Sequence, residues 1–475
     1  MNKKVRYILL LFLTVNLQAI SAPLRELLHD IHSAQNDAIN SGAVILLMDK
    51  ERVLLNVHTG KPNWKDKKTL SNDHMFRIGS ISKSFAAVLA MRMQQAGKLD
   101  IRLPFNHYVH KTFINNSFSD VPITIEQLME HTAGLAGLST AEWSYNESNE
   151  LTVEQTLLLK KGNHKTHWQP GLHHSYTNAG YGLLGLALEK AGGKSYEALM
   201  DEYVFSPLGM ESSTLLLDEK TKARLITGYD RDGKKKIPYW NNIYRPFAAV
   251  NTDAKDMIRF LQMLLNDGKV NGKEFLSVNS ISRIETPKTS LSAVGGLSSG
   301  YALANYSWQH KGFTFRGHGG DADGYLARYG YNRESGFAYF VMVNAFNYKP
   351  IGKLRRLLEN YITKKLPIKD SINPTSSKAY SIDLINSFIG DYISVTSRFG
   401  KNRRGKNRRE KLSITMVGKK LYLKKGNSSL IRIYPVTKNH FRYFDETVAT
   451  FAFIRYDGEL YLQGDMGNFR KIITP

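Results

Sequence analysis

The sequence predicts an α+β protein: one antiparallel sheet flanked by helices and a helical lobe, followed by a small all-β, barrel-like domain. Three observations predict it. Strand-like apolar runs occur near the start of the chain and again at 313–343, while helical periodicity dominates the stretch between them. Beyond a polar segment at 367–380 the pattern changes to short alternating runs punctuated by Gly418, Gly426 and Gly458.

In chain order, 24–40 reads as an amphipathic helix, with Leu24, Leu27, Leu28, Ile31 and Ala34 at helical spacing and Gly42 just beyond its end. A hairpin follows, 43–48 and 53–58, turning at 49–52. The middle of the chain is helix-rich, with helices expected at 125–130, 153–160, 181–191, 195–204 and 254–265. Strands are expected at 313–317, 325–331 and 337–343, and a helix at 351–364. Strands from the two ends are too few for two sheets. They are placed in one sheet, with the terminal helices on one face and the helical middle on the other. The C-terminal strands are expected at 412–417, 420–424, 429–434, 441–444, 450–456 and 460–463, a barrel or sandwich by count.

The organisation that results is a leader at 1–21, a main domain at 22–366, a linker at 367–380 and a β-rich domain at 381–475. The leader rests on Lys3, Lys4 and Arg6 before a short apolar stretch at 8–15, with Ala19, Ser21 and Ala22 following. That is the order of a secretory signal peptide, and the apolar core is too short to span a bilayer as a permanent helix. Pro23 disfavours cutting after Ala22, so cleavage is expected after Ser21 or Ala19. The expected location is periplasmic or secreted, which argues against a nucleic-acid partner.

Hydrophobic residues make up 42% of the 475 and charged residues 23%, which excludes a disordered or fibrous chain. There is no cysteine, so disulfides, thiolate metal sites, iron–sulfur clusters and a cysteine nucleophile are all excluded. The net charge of +23 is uneven: residues 364–475 hold 22 basic against 9 acidic side chains. Much of that excess lies in Arg398, Lys401, Arg403, Arg404, Lys406, Arg408, Arg409 and Lys411. The run reads either as a solvated loop or as a segment that attracts an anionic wall polymer or membrane surface.

Three motifs bear chemistry. The first is Phe76-Arg77-Ile78-Gly79-Ser80-Ile81-Ser82-Lys83, followed by an almost wholly apolar run. A turn at Gly79 leading into a buried helix puts Ser80 in the first turn, where unpaired backbone N–H groups favour a developing anion. Lys83, three residues on, returns to the same face. Desolvation and the helix dipole both disfavour its charge there, which suits a base for the serine. The second motif is Pro170-Gly171, then Tyr176-Thr177-Asn178-Ala179-Gly180-Tyr181-Gly182. In an extended segment Tyr176 and Asn178 share a side, the phenol to shuttle a proton and the amide to hold a substrate carbonyl. The third is Arg316-Gly317-His318-Gly319-Gly320-Asp321 at a strand end. Its glycines let a substrate backbone lie against the edge, and a following N–H can complete an oxyanion hole.

Together and in this order the three motifs resemble those of the serine β-lactamase-related hydrolases, which include class C β-lactamases, D-amino-acid peptidases and esterases. The neighbouring stretch Ile123 to Leu135, with His131-Thr132-Ala133-Gly134, resembles the family as well, as do Ser206-Pro207-Leu208-Gly209-Met210 and Asp256-Met257. The resemblance covers roughly residues 30–363. It implies a β-lactamase/transpeptidase-like fold and an acyl-enzyme on Ser80, with Lys83 and Tyr176 relaying protons. Asn178, His318, Gly319 and Gly320 would position substrate, and the N–H groups of Ser80 and Asp321 would bind the oxyanion. No metal or cofactor is implied. The expected substrate is a small molecule or peptide.

Two departures from the family pattern bear on substrate. His318-Gly319-Gly320 stands where β-lactamases and penicillin-binding proteins carry Lys-Thr-Gly. The permanent cation for a substrate carboxylate is therefore missing, and an ester or D-amino-acid peptide is favoured over a β-lactam. Phe247-Ala248-Ala249-Val250-Asn251 stands where relatives usually have a glycine pair. Other readings are weaker. Gly296-Leu297-Ser298-Ser299-Gly300 fits a nucleophile-elbow pattern but lacks the strand before it and the helix after it. His164, His167, His173 and His174 have no carboxylate at ligand spacing and are expected at the surface or the cleft rim. A catalytically silent binding protein on the same scaffold is the alternative to an enzyme. The complete set of catalytic side chains disfavours it.

Overall fold

A computed structural model describes residues 21–36, 42–110, 113–136, 151–159, 164–242, 244–366, 382–396, 410–418 and 420–472. The leader up to residue 20, the 367–380 linker and the basic run up to Arg409 lie outside them.

The strand-like runs from both ends meet in one six-stranded antiparallel sheet, in the order Val53–Thr59, Ala43–Asp49, Phe337–Val343, Tyr325–Asn332, Phe313–Ala322, Tyr306–His310. The run Ala-Val-Ile-Leu-Leu-Met at 43–48 is apolar at every position because both faces of the sheet are covered. Alternate residues serve different cores. Ile45 and Leu47 pack with Leu27 and Ile31 of the helix Ala22–Asn36, and with Leu354 and Leu358 of the helix Tyr348–Lys364. Val44, Leu46 and Met48 face the larger core under the helical lobe, with Phe340, Phe85 and Phe260. Phe85 stacks on Phe260 at 4.2 Å between ring centroids. Among the described residues no helix is long and apolar enough to cross a membrane.

The expected strand at 313–317 continues to Ala322, so the third motif forms the C-terminal part of a ten-residue strand instead of following it. The cause is register: Arg316 to Ala322 pair residue by residue with Tyr331 to Tyr325, a partner that local sequence does not reveal. The helix expected at 181–191 starts earlier, at Asn178, after extended Thr177. Asn178 is therefore the first helical residue rather than part of an extended segment. Its backbone exchanges strand geometry for helical hydrogen bonding under the buried run 179–188.

The C-terminal residues form a nine-stranded antiparallel sheet that is nearly closed. Its two end strands, Ile431–Arg432 and Tyr434–Pro435, are separated by one residue. The enclosed core holds Phe388, Tyr392, Leu412, Ile414, Phe441, Phe453, Leu462 and Phe469. Two of its strands, Gly390–Ser394 and Gly467–Lys471, and the helix Ile382–Phe388 are additional to those expected. Each strand is only five residues long and mostly polar, too short for alternation to stand out.

Candidate active site

The first motif forms a two-residue strand, Phe76–Arg77, then a 3₁₀ turn Gly79–Ile81 and the helix Ser82–Gln95. Gly79 sits at φ +52°, and a Cβ there would lie 2.8 Å from both the backbone N and O of Asp321. On the opposite wall, a Cβ at Gly320 would fall 1.7 Å from the Ile78 carbonyl oxygen. The serine turn and the third-motif strand are thus in backbone-to-backbone contact, which only glycine at both positions permits. The neighbouring strand Tyr306–His310 pairs only as far as Gly317, so from His318 to Ala322 that edge has no ladder partner among the described residues. The backbone N of Asp321 is accordingly placed next to the turn that carries Ser80.

Lys83 is fully buried. Its Nζ lies 3.1 Å from Ser80 Oγ and donates to the Phe247 carbonyl at 3.1 Å. The rings of Tyr176, Phe247 and Tyr181 surround it, with centroids at 4.9, 5.0 and 5.3 Å. The Phe247 segment, the second departure from the family pattern, therefore anchors the lysine from the short helix Arg245–Ala248. Ser82 Oγ accepts from Val250 N at 3.1 Å and fastens the same segment to the serine helix.

Tyr176 stands in the approach to the helix Asn178–Gly192, against the His131 ring at 4.2 Å. His131 has φ +59° and organises the segment: its carbonyl accepts from Ser175 N at 2.7 Å, and its Nδ1 accepts from Thr177 N at 3.2 Å. Because Nδ1 accepts, the neutral ring carries its proton on Nε2. Asn178 is buried, and among the described residues its Oδ1 has no hydrogen-bond partner, an acceptor left open beside the helix start.

His318 is also buried. Its Nδ1 lies 2.6 Å from the Gly319 carbonyl, which can only accept, so Nδ1 holds a proton. Its Nε2 lies 2.9 Å from the Tyr301 hydroxyl, which donates to it in the neutral tautomer. The Asp321 carboxylate is engaged by Arg328 Nη1 at 2.8 Å and by the Tyr348 hydroxyl at 2.6 Å. Ser80, Lys83 and Tyr176 are thus brought together, with the His318 ring 6.3 Å from that of Tyr176 and the Asp321 backbone on the opposite wall.

Sequence reasoning missed Tyr301 and the Phe247 carbonyl, and it gave Tyr181, inside the second motif, no role. Burial raises both phenols well above the ordinary tyrosine range, so they remain neutral hydrogen-bonding walls. His131 lay in a stretch already singled out, but Tyr301 carries no local signal at all. Ser298 is exposed and follows the short helix Leu291–Val294 rather than a strand, so the elbow pattern is a turn. The histidine expectation needs correcting for two members. His164 is buried against the Tyr244 hydroxyl at 3.2 Å, and His173 is buried beneath the C-terminal sheet, where desolvation lowers its pKa to about 4. Each makes a contact with a distant group that sequence spacing does not show. Among the described residues no three His, Asp or Glu side chains converge on a metal-sized site.

An antiparallel sheet backed by helices, with a serine turn and a buried lysine between sheet and lobe, defines a β-lactamase/transpeptidase-type fold. A profile of the Beta-lactamase family matches residues 32–362, and the chain belongs to that family. It is 25% identical over 228 residues to protein flp of Staphylococcus aureus strain MW2, covering 47% of this chain and 45% of that protein. The chain thus spans about half the length of the curated relatives it matches. Among solved structures it is similar to an octameric penicillin-binding protein homologue from Pyrococcus abyssi, at TM-score 0.60 and 20% identity over 94% of this chain and 99% of that one. It is similar also to a β-lactamase/D-alanine carboxypeptidase from Yersinia pestis, at TM-score 0.59 and 18% identity over 73% and 99%. The first of these likenesses extends into the C-terminal sheet. At these identities both show the fold.

Proposed function

We propose that the protein is an exported serine hydrolase that cleaves a carboxylic ester or a D-amino-acid peptide bond through an acyl-enzyme on Ser80. The observation that carries this reading is the 3.1 Å approach of the buried Lys83 Nζ to Ser80 Oγ. As the neutral amine, Lys83 takes the hydroxyl proton while Oγ attacks the substrate carbonyl carbon. The backbone N–H groups of Ser80 and Asp321 hold the oxyanion. Tyr176, packed over Lys83, relays the proton to the leaving oxygen or nitrogen, and the ester or amide bond breaks. Asn178 offers its open Oδ1 to a substrate N–H. Water then enters by the reverse relay and releases the acid.

The His318 geometry supports a substrate without a free carboxylate at this position. Both ring nitrogens are engaged internally, and the neutral tautomer supplies no permanent cation. Export rests on the charged, apolar and small-residue order of the leader. An anionic wall polymer or lipid surface is the proposed partner of the basic run, and the exposed Lys411, Lys420, Lys424 and Lys425 of the adjoining hairpin extend the same charge. The test is intact-protein mass spectrometry after a fluorophosphonate or a penicillin. Fluorophosphonate addition is expected on wild type and on Ser298→Ala, and none on Ser80→Ala, with little penicillin adduct. Labelling that survives Ser80→Ala would refute the assignment.

A further inference from the structure

The C-terminal sheet does not stand apart from the site. Gln463, in the strand Glu459–Gly464, is 1% exposed and makes its hydrogen bonds with the other half of the molecule. Its Oε1 accepts from Ser292 N at 3.0 Å, while its Nε2 donates to the Leu172 carbonyl at 2.9 Å and to His173 Nδ1 at 2.8 Å. A backbone N–H can only donate and a carbonyl can only accept, so this orientation of the carboxamide is forced. In the strand Gly467–Lys471, Asn468 Nδ2 donates to the His174 carbonyl at 2.8 Å. Three consecutive residues, Leu172, His173 and His174, each receive a hydrogen bond from the C-terminal sheet. Two residues further on stands Tyr176.

The segment 172–177 belongs to no helix or strand. No ladder therefore sets the position of Tyr176, which depends on point anchors at either end. One anchor is His131, through Ser175 N and Thr177 N. Another is the pair of carboxamides from the C-terminal sheet, beside Leu291 N, which donates to the Leu172 carbonyl at 3.3 Å. His173 accepts from Gln463 as a neutral ring, consistent with burial that lowers its pKa to about 4.

We propose that Gln463 and Asn468 are positioning residues: the C-terminal sheet holds the 172–175 backbone and thereby sets the place of the Tyr176 ring over Lys83. This rests on the reading of Tyr176 as proton relay, and it makes the C-terminal domain part of the catalytic apparatus without supplying a reacting group.

The test uses the full chain and a soluble aryl ester, with Gln463→Met, Tyr176→Phe and the double variant, each checked for folding by circular dichroism. Gln463→Met is expected to lower kcat by about ten- to a hundredfold, as small displacements of a catalytic group do, with KM nearly unchanged. In the Tyr176→Phe background it is expected to add little, because the two act through one group. Backbone hydrogen exchange at Ser175 and Thr177 is expected to accelerate in Gln463→Met. Where Tyr176→Phe is impaired, a folded Gln463→Met protein with wild-type kcat overturns the proposal, and so does a full additional loss in the double variant. If Tyr176→Phe itself keeps wild-type kcat, the relay reading fails. Unaccelerated exchange in Gln463→Met would then also refute the anchoring, so the two failures are told apart. Should Gln463→Met not fold, Asn468→Ala, which removes only the outer anchor, is judged by the same measurements.

Discussion

Replacing Gly320 by alanine tests the contact on which the site depends. The new methyl group would stand 1.7 Å from the Ile78 carbonyl oxygen, where real Cβ contacts essentially never fall below 3.0 Å. The strand or the serine turn must therefore retreat by at least 1.3 Å. Neither yields cheaply. The strand is paired from Arg316 to Ala322 with its neighbour, and the turn is tied to Val250 through Ile78 N at 3.3 Å. Forcing a group into packed backbone typically lowers stability by about 1–3 kcal/mol. A displacement near 1 Å between nucleophile and oxyanion donor costs about a hundredfold in rate, equivalent to about 2.7 kcal/mol of barrier. The assay is the second-order rate of fluorophosphonate labelling of Ser80 alongside thermal unfolding, read well below the midpoint so that folding loss does not enter. Labelling at the wild-type rate with an unshifted midpoint would refute the argument that this backbone contact builds the oxyanion site.

Three further outcomes are expected. Lys83→Arg keeps the charge but supplies no neutral amine at the working pH, so ester turnover should fall by about a thousandfold or more; near-normal turnover would remove the base role. His173 titrates near 6.5 when unfolded and at about 4 when folded. The unfolded chain therefore takes up its proton first as pH falls, and stability present above about pH 6.5 should decline towards pH 4, by about 3 kcal/mol at most. Denaturant unfolding across that window should show the decline in wild type and a flatter profile in His173→Gln. Replacing the arginines and lysines at 398–409 by glutamine should weaken sedimentation with anionic vesicles and remove its salt dependence, while aryl-ester kcat stays unchanged; binding that is indifferent to both charge and salt would mark the run as a solvated loop.

The residues that would carry the chemistry were legible because their positions are dictated locally. Lys83 returns to the face of Ser80 by helical geometry alone, and the glycines at 79 and 320 stand where two backbones approach closely. The single sheet was legible too, because the strand runs at the two ends of the main domain are too few to make two sheets. What the sequence left open is what depends on groups distant along the chain. The third motif could be placed at a strand, but only pairing with Tyr325–Asn332 carries that strand through to Ala322. Tyr301 meets His318 from 17 residues away, and Phe247 meets Lys83 from 164. Gln463 reaches the Tyr176 segment across 290 residues. A hydrogen bond between groups so far apart along the chain leaves no periodicity and no spacing in either segment. Local composition therefore determines which elements form and which side chains share a face, whereas the proton held on His318 Nδ1, the cage around Lys83 and the hold of the C-terminal sheet on Tyr176 exist only once the chain has closed on itself.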